Sequence, residues 1–318
     1  MSPKTASSPL AWQCDRRIRE QRFWSECPRV DVTGPHVARV EVAVADPTDI
    51  VRTWPCDREV ATQLATIAPY TETALRTRHQ FTSTVIEHAL AQGITQFLEL
   101  GSGDPHISSA HAAIGAVGTT PAPRIVLVDH DPIVYARAWG DAQEQPGAWR
   151  RSTFVRGNVF AVGRMVNSLA KRGLLDLELP VCVLAVDILH FAEPEIDVRT
   201  VPRRLAHRLV PGTLIAVTHL TDEPLTPPTH TRAVEDLRTD TASWCRAHGW
   251  CVGPQPRPRS HAEFARLLAD LELLAPGTTT PGSWPEPDDT RQPRAPYTLA
   301  AVGRVPKRRA GASERGEP

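Results

Sequence analysis

The sequence lacks net charge: Lys+Arg and Asp+Glu both number 36. A balanced chain raises no overall field to recruit nucleic acid or an acidic membrane, so neither is expected as a partner. Lysine is nearly missing, with only Lys4, Lys171 and Lys307, and this arginine usage points to a GC-rich genome more than to a function. Long apolar runs are missing too. None approaches the roughly 18–20 residues of a membrane span, and MSPKTASSPLAW has no apolar core of a secretory signal, so a cytoplasmic protein is expected. The six cysteines include no C-x-x-C pair, and Cys182 lies in an apolar run. Free thiols are expected, with neither a disulfide framework nor a zinc site. His88, His111 and His130 show no ligand spacing with carboxylates, so no metal is expected.

At 318 residues and 34.9 kDa the chain can bury one large core. Residues 1–55 have few periodic apolar positions, and DRRIREQRFW mixes basic and aromatic residues, so an arm or lid, partly disordered, is expected there. The body is expected over 56–304 and a disordered tail over 305–318. Helical spacing marks Asp57 to Ala68 and Thr71 to Gln92, the second ended by Gly93. Then QFLEL, RIVLVD, STFVRG, VCVLAVDIL and TLIAVTH alternate with helices expected at His106 to Val117, Pro132 to Gly140, Val162 to Arg172 and Val198 to Leu209. Continuous Val/Ile/Leu runs between helices indicate parallel strands buried on both faces, a doubly wound α/β sheet. Further on, a helix is expected near Thr231 to His248 and another over His261 to Asp270, opened by a capping box of Ser260 and Glu263. LELLAP and YTLAAVGRV read as a final strand pair, making seven strands.

FLELGSGDPH runs from a strand into a glycine turn, where α/β proteins hold nucleotides. A dinucleotide turn needs a third glycine; here Gly101 and Gly103 are followed by His106 in that place, and Pro105 suits a first helical turn. The alternative is an acid before the turn. Glu99 is costly to bury unless a cation or a hydrogen-bond donor meets it, and S-adenosylmethionine brings an ammonium group and no phosphate. Asp129, ending the second strand, suits the ribose hydroxyls, and Asn158, after the third, suits the adenine edge. Ser102 within the turn, His130 beside Asp129 and Val159 beside Asn158 complete the expected cofactor set. Each has a plainer role available: an ion pair for Glu99, a helix cap for Asp129, a turn for Asn158.

QFLELGSGDPH, RIVLVDHDPIV, LAVDILHFAEP, LVPGTLIAVTHLT and RSHAEFARLLADLELLAPG, in this order, resemble the actinobacterial S-adenosylmethionine-dependent methyltransferase family once catalogued only as a domain of unknown function. The resemblance spans roughly Asp57 to Arg304. It implies the class I methyltransferase fold, Rossmann-like, a mostly parallel seven-stranded sheet with helices on both faces and extra N-terminal helices. It also implies S-adenosylmethionine as cofactor. Carried over by position, Glu99, Gly101 and Gly103 match the glycine turn and its acid, Asp129 and Asp131 the two acids of V-D-x-D-P, and His190, Phe191 and His219 the strand-four and strand-five motifs. Asn158 stands where the family usually has aspartate. Two segments depart from the family. ARVEVAVADPTDIVRTWPCDREVA keeps Arg39, Val40, Asp57 and Arg58 but lacks the glycine pair, lysine and aromatics, and Arg78 and His79 replace an asparagine-arginine pair.

Methyl transfer is an in-line displacement that depends on positioning, and a protonated acceptor also needs a base within reach. His190 and His219, at strand ends, are the candidate bases, and Asp187 is the candidate for orienting a histidine or binding a cationic acceptor. Trp244, Trp250 and Trp284 suit either the floor of an acceptor pocket or the core. A small-molecule acceptor is expected. A non-catalytic module binding S-adenosylmethionine or S-adenosylhomocysteine is the alternative, and a dinucleotide oxidoreductase is disfavoured by Pro105 and His106.

Overall fold

Five of the apolar runs form a parallel sheet: β1 (Gln96–Leu100), β2 (Arg124–Asp129), β3 (Ser152–Arg156), β4 (Val181–Ala185) and β5 (Leu214–Leu220). The computed structural model describes residues 33–118, 121–223, 241–246, 249–251, 253–286 and 297–307. Two antiparallel strands follow, β6 (Glu272–Leu273) and β7 (Thr298–Arg304), and the order across the sheet is β3-β2-β1-β4-β5-β7-β6. This is the seven-stranded, mostly parallel sheet that the resemblance implies. β7 sits between β5 and β6, antiparallel to both.

Alternate side chains of each strand point to opposite faces. Phe97, Leu127 and Leu184 pack against α3 (Thr71–Ala91), α4 (Ser109–Ala116) and α5 (Pro132–Glu144). Leu98, Val128 and Val183 pack against α6 (Val162–Lys171), α7 (Thr200–Arg208) and α8 (His261–Leu267). Both layers are fully closed over β1, so every residue of that strand is buried. Each Leu, Val or Phe buried this way contributes about 1.5–3 kcal/mol, which is why the strands read as continuous apolar runs.

Two shorter helices precede this body: α1 (Val37–Ala45) and α2 (Pro55–Ile67). They make a third apolar cluster with Leu220, Trp244 and Tyr297. Of the segment expected as an arm or lid, residues 33–55 are therefore packed on the body, and residues 1–32 lie outside the described residues. A fully buried arginine holds α1 down. Arg39 Nε donates to Asp57 Oδ2 at 3.0 Å, its Nη1 lies 3.5 Å from Asp131 Oδ2, and its guanidinium stacks 4.2 Å from the Trp54 ring.

Of the boundaries that differ from the sequence reading, such as β4 stopping at Ala185 and α5 running on to Glu144, two have clear local reasons. Pro105 does not open a helix: 105–107 is a turn, and α4 begins at Ser109 because the Ser108 hydroxyl accepts the His111 N–H at 3.1 Å. β5 does not stop at His219 but runs on through Leu220, which pairs with Thr298 of β7. The capping box of Ser260 and Glu263 forms as expected. The helix expected near Thr231 to His248 lies outside the described residues except for 241–246, which are helical, and the tail beyond 307 also lies outside them. Among the described residues no helix is long and apolar enough to cross a membrane, and no group of His, Cys, Asp and Glu could hold a metal.

Candidate functional site

The carboxyl ends of β1, β2 and β4 open into a cavity of about 360 Å³, inside the range of roughly 300–1,000 Å³ usual for small-molecule sites. Its floor is the turn after β1. Gly101 has φ +69°, and a Cβ there would lie 2.5 Å from Ile188, so both the backbone and the crowded wall require glycine. Gly103 is left-handed too, and its N–H donates to Asp129 Oδ2 at 2.9 Å. Asp129 Oδ1 accepts the Asp131 N–H at 3.0 Å. The acid ending β2 thus shapes the glycine turn of β1 while still lining the cavity.

Glu99 alternates onto the same face as Phe97, beneath the turn and beside α4. The Ser108 hydroxyl donates to its Oε2 at 3.0 Å. Burial nonetheless dominates and pushes its carboxyl up to about 7, against the lesser effects of Ser108 and the Arg78 charge. The plainer role foreseen for Asp129, capping the next helix, belongs to its neighbour: Asp131 Oδ1 accepts the Ile133 N–H at 2.8 Å at the start of α5. Burial opposes the charge of Asp131, but hydrogen bonding to His36, the His36 charge and the Ile133 N–H hold it at about 2. Asn158 Oδ1 accepts the Phe160 N–H at 2.9 Å, a cap that uses the acceptor and leaves the NH2 donor.

Glu99, Gly101, Ser102, Gly103, Asp129, His130, Asn158, Val159 and Asp187 all line this one cavity. His190 and His219 do not. His219 is fully buried in β5; its Nδ1 lies 2.8 Å from the Leu220 carbonyl and its Nε2 2.7 Å from Arg259 Nη1. Leu220 O can only accept and the guanidinium can only donate, so this histidine has no lone pair left to take a proton. Burial and the neighbouring His190 lower its pKa to about 3. His190 is buried in a ring cluster with Phe191, His219 and Trp244 and lines a small cavity of about 30 Å³ that shares Glu41, Arg78 and Asp187 with the main one. Neither ring lines the main cavity in which base roles were expected for them. Of the tryptophans, Trp244 and Trp284 are buried in core clusters and Trp250 is 45% exposed, and none lines the main cavity.

Residues outside the expected site set supply the other walls, Arg78 and His79 of the departing segment among them. His36 and Glu41 come from α1 and its entry, and Arg78, His79 and Thr82 from α3. Arg78 donates to Glu41 Oε1 at 2.8 Å and to Asp187 Oδ2 at 3.3 Å. Burial works against its charge, but the two carboxylates more than offset this and raise its pKa. Arg78 also lowers the pKa of His79, which burial first of all brings to about 4. The signal for Glu41 was present: Val37, Ala38 and Glu41 recur at helical spacing, an acid on an otherwise apolar face.

Residues 25–307 match the sequence profile of the S-adenosyl methyltransferase family. The chain belongs to that family. S-adenosylmethionine is accordingly its cofactor. A DUF574 family protein from Streptomyces avermitilis superposes with a TM-score of 0.69 at 26% identity, over 87% of this chain and 100% of its own. A provisionally assigned methyltransferase from Thermobifida fusca does so with a TM-score of 0.67 at 24% identity, over 86% of this chain and 96% of its own. No curated protein matches this chain. The cavity has what this cofactor needs: a glycine floor without Cβ atoms, a buried acid beneath it and an acid at the tip of β2.

Proposed function

We propose that this methyltransferase transfers the methyl group of S-adenosylmethionine to a small-molecule acceptor within the 360 Å³ cavity. One observation carries the reading: the acids and glycines at the tips of β1 and β2 and the amide after β3 converge on that cavity in strand order. In this assignment Asp129 accepts from the ribose hydroxyls, with His130 beside it. The Asn158 NH2 and Val159 meet the adenine, and Glu99 lies beneath the amino-acid end. Ser102 and the bare backbone of Gly101 and Gly103 let the nucleoside approach closely. When bound, the sulfonium supplies an electrophilic methyl group and leaves as a neutral thioether.

The protein's own contribution is then positioning and desolvation. Asp187 is the only one of the three expected catalytic residues that faces the cavity, and its pairing with Arg78 makes it a positioning group there. A cytoplasmic location and independence from nucleic acid and membranes remain part of this reading. It is tested by titration calorimetry with S-adenosylhomocysteine and NADH, followed by transfer of labelled methyl into a metabolite extract. Binding of the first nucleoside alone, with label appearing in a small molecule, is the expected result. Binding without transfer would reassign the protein as a non-catalytic nucleoside-binding module, and binding of neither would remove both readings.

A further inference from the structure

The cavity read above as the methyl-donor site is biased in charge. Among the described residues, five carboxyl side chains line it, Glu41, Glu99, Asp129, Asp187 and Glu193, against the single arginine Arg78. Two of its histidines add no compensating charge: burial lowers His79 to about 4 and also lowers His130. Such a lining favours cations.

The bias is focused at one point. The Arg78 guanidinium is shared between Glu41 at 2.8 Å and Asp187 at 3.3 Å, so one positive charge meets two negative ones. These side chains are only 14%, 23% and 19% exposed respectively, so solvent screens the excess poorly. Glu41 reaches Arg78 through Oε1, and its Oε2 overhangs the glycine turn, 3.9 Å from where a Cβ of Gly103 would be. Asp187 is held in a left-handed backbone, φ 50°, that a non-glycine residue adopts at a cost. Thr218 holds it there: its Oγ1 accepts the Asp187 N–H at 2.7 Å, and its hydroxyl donates to Asp187 Oδ1.

Topology sets what lies beside that point. With adenosine anchored at the tips of β2 and β3, by Asp129 and Asn158, its sulfur end extends toward β1 and β4, where Glu41, Glu99 and Asp187 converge. S-adenosylmethionine carries one net positive charge at neutral pH, from sulfonium, ammonium and carboxylate. S-adenosylhomocysteine carries none. On transfer the bond from sulfur to the methyl carbon breaks with its electron pair staying on sulfur. The acceptor lone pair forms the new bond to carbon, and an acceptor proton, where there is one, passes to solvent.

We propose that Glu41 and Asp187 read the charge of the donor, holding the sulfonium form and releasing the neutral thioether product. The proposal rests on the donor-site reading and adds to it a direction of preference. Methyl transfer itself thereby weakens the grip on the nucleoside.

The test is calorimetric titration of the full chain with S-adenosylmethionine, S-adenosylhomocysteine and sinefungin, which carries an amine where the sulfonium stands. The two cationic nucleosides are expected to bind more tightly than S-adenosylhomocysteine, on the order of tenfold for one poorly screened charge contact. Glu41→Gln and Asp187→Asn keep size and one acceptor oxygen each, enough for Arg78 at Glu41 and for Thr218 at Asp187, and asparagine tolerates the left-handed backbone. Both variants are expected to narrow the gap by weakening the cationic ligands more than the neutral one. Equal binding of all three by the unaltered protein, or a gap unmoved in both variants, overturns the charge reading and leaves the donor site standing. Binding of none overturns the donor site and this proposal with it.

Discussion

Glu99 is the residue whose environment most affects the behaviour of the site. Its carboxyl titrates at about 7 in the folded protein against 4.5 when solvated. Between those values the folded state keeps a proton that the unfolded chain has released, so stability falls as pH rises through this window, by roughly 3 kcal/mol at most. Glu99→Gln, which can still accept from Ser108, is expected to flatten that slope in urea titrations at pH 5 and pH 8. An unchanged slope would show that Glu99 is not its source. A ligand ammonium beside Glu99 is expected to expel the proton, so binding enthalpies at pH 6.5 should depend on the buffer's ionisation enthalpy. Independence of the buffer would place the ammonium elsewhere. Glycines offer a matched pair. Gly101→Ala drives a Cβ to 2.5 Å from Ile188 at φ +69°, with an expected loss of about 1–3 kcal/mol or more and of nucleoside binding. Gly140→Ala, in α5 with nothing within 4 Å of the new Cβ, is expected to gain about 0.4–1 kcal/mol. Thermal melts of the two variants should therefore move in opposite directions.

Among the elements, α1 depends most on its partners. A nine-residue helix is marginal alone, and its four valines favour extended structure. What makes it helical is docking, through Arg39 to Asp57 and Asp131 and through Val40 and Ala43 to α2. Arg39→Met is expected to cost about 3–5 kcal/mol, since it leaves buried Asp57 without its cation and takes one of two from Asp131. Limited proteolysis should then cut within residues 33–54 before the sheet, and a cleavage pattern like that of the unaltered protein would count against the docking role. The same physics explains what could be read from sequence. β1 to β5 were legible because burial on both faces leaves an unbroken apolar run, and the capping box at Ser260 because it is a local pattern. α1 was not, because an arginine in its core reads as a surface residue until its two acids are found 18 and 92 positions away. That the glycine turn, Asp129 and Asn158 share one cavity could be read ahead because each ends or follows a strand. Glu41 was signalled only by its helical spacing, and Arg78 and His79 only by their departure from the family's pair, because the cavity joins helices whose spacing reports a buried face. His190 lies in a turn past the end of β4 and away from the main cavity, and the extra residue of β5 keeps His219 inside the sheet, facing Phe264 and Arg259.

At the scale of the whole molecule, the cavity is closed by parts distant in sequence, and ligand binding should stabilise them together. Arg52 in the loop between α1 and α2 ties that loop to Asp104 at 3.0 Å and to Asp141 at 2.8 Å, across the glycine turn and α5. S-adenosylhomocysteine at one hundred times its dissociation constant is expected to add about 2.7 kcal/mol, and to raise the melting temperature by several degrees with one midpoint in near- and far-ultraviolet circular dichroism. Two midpoints would separate the α1–α2 unit from the sheet. The position of β7 has a consequence for biosynthesis. β5 is buried along all seven residues, and one of its edges is covered by a strand encoded more than seventy residues later. At ribosomal speeds that edge waits on the order of ten seconds for its partner. During that interval a bare apolar strand of this chain is available to any chaperone, or to another nascent copy on the same message.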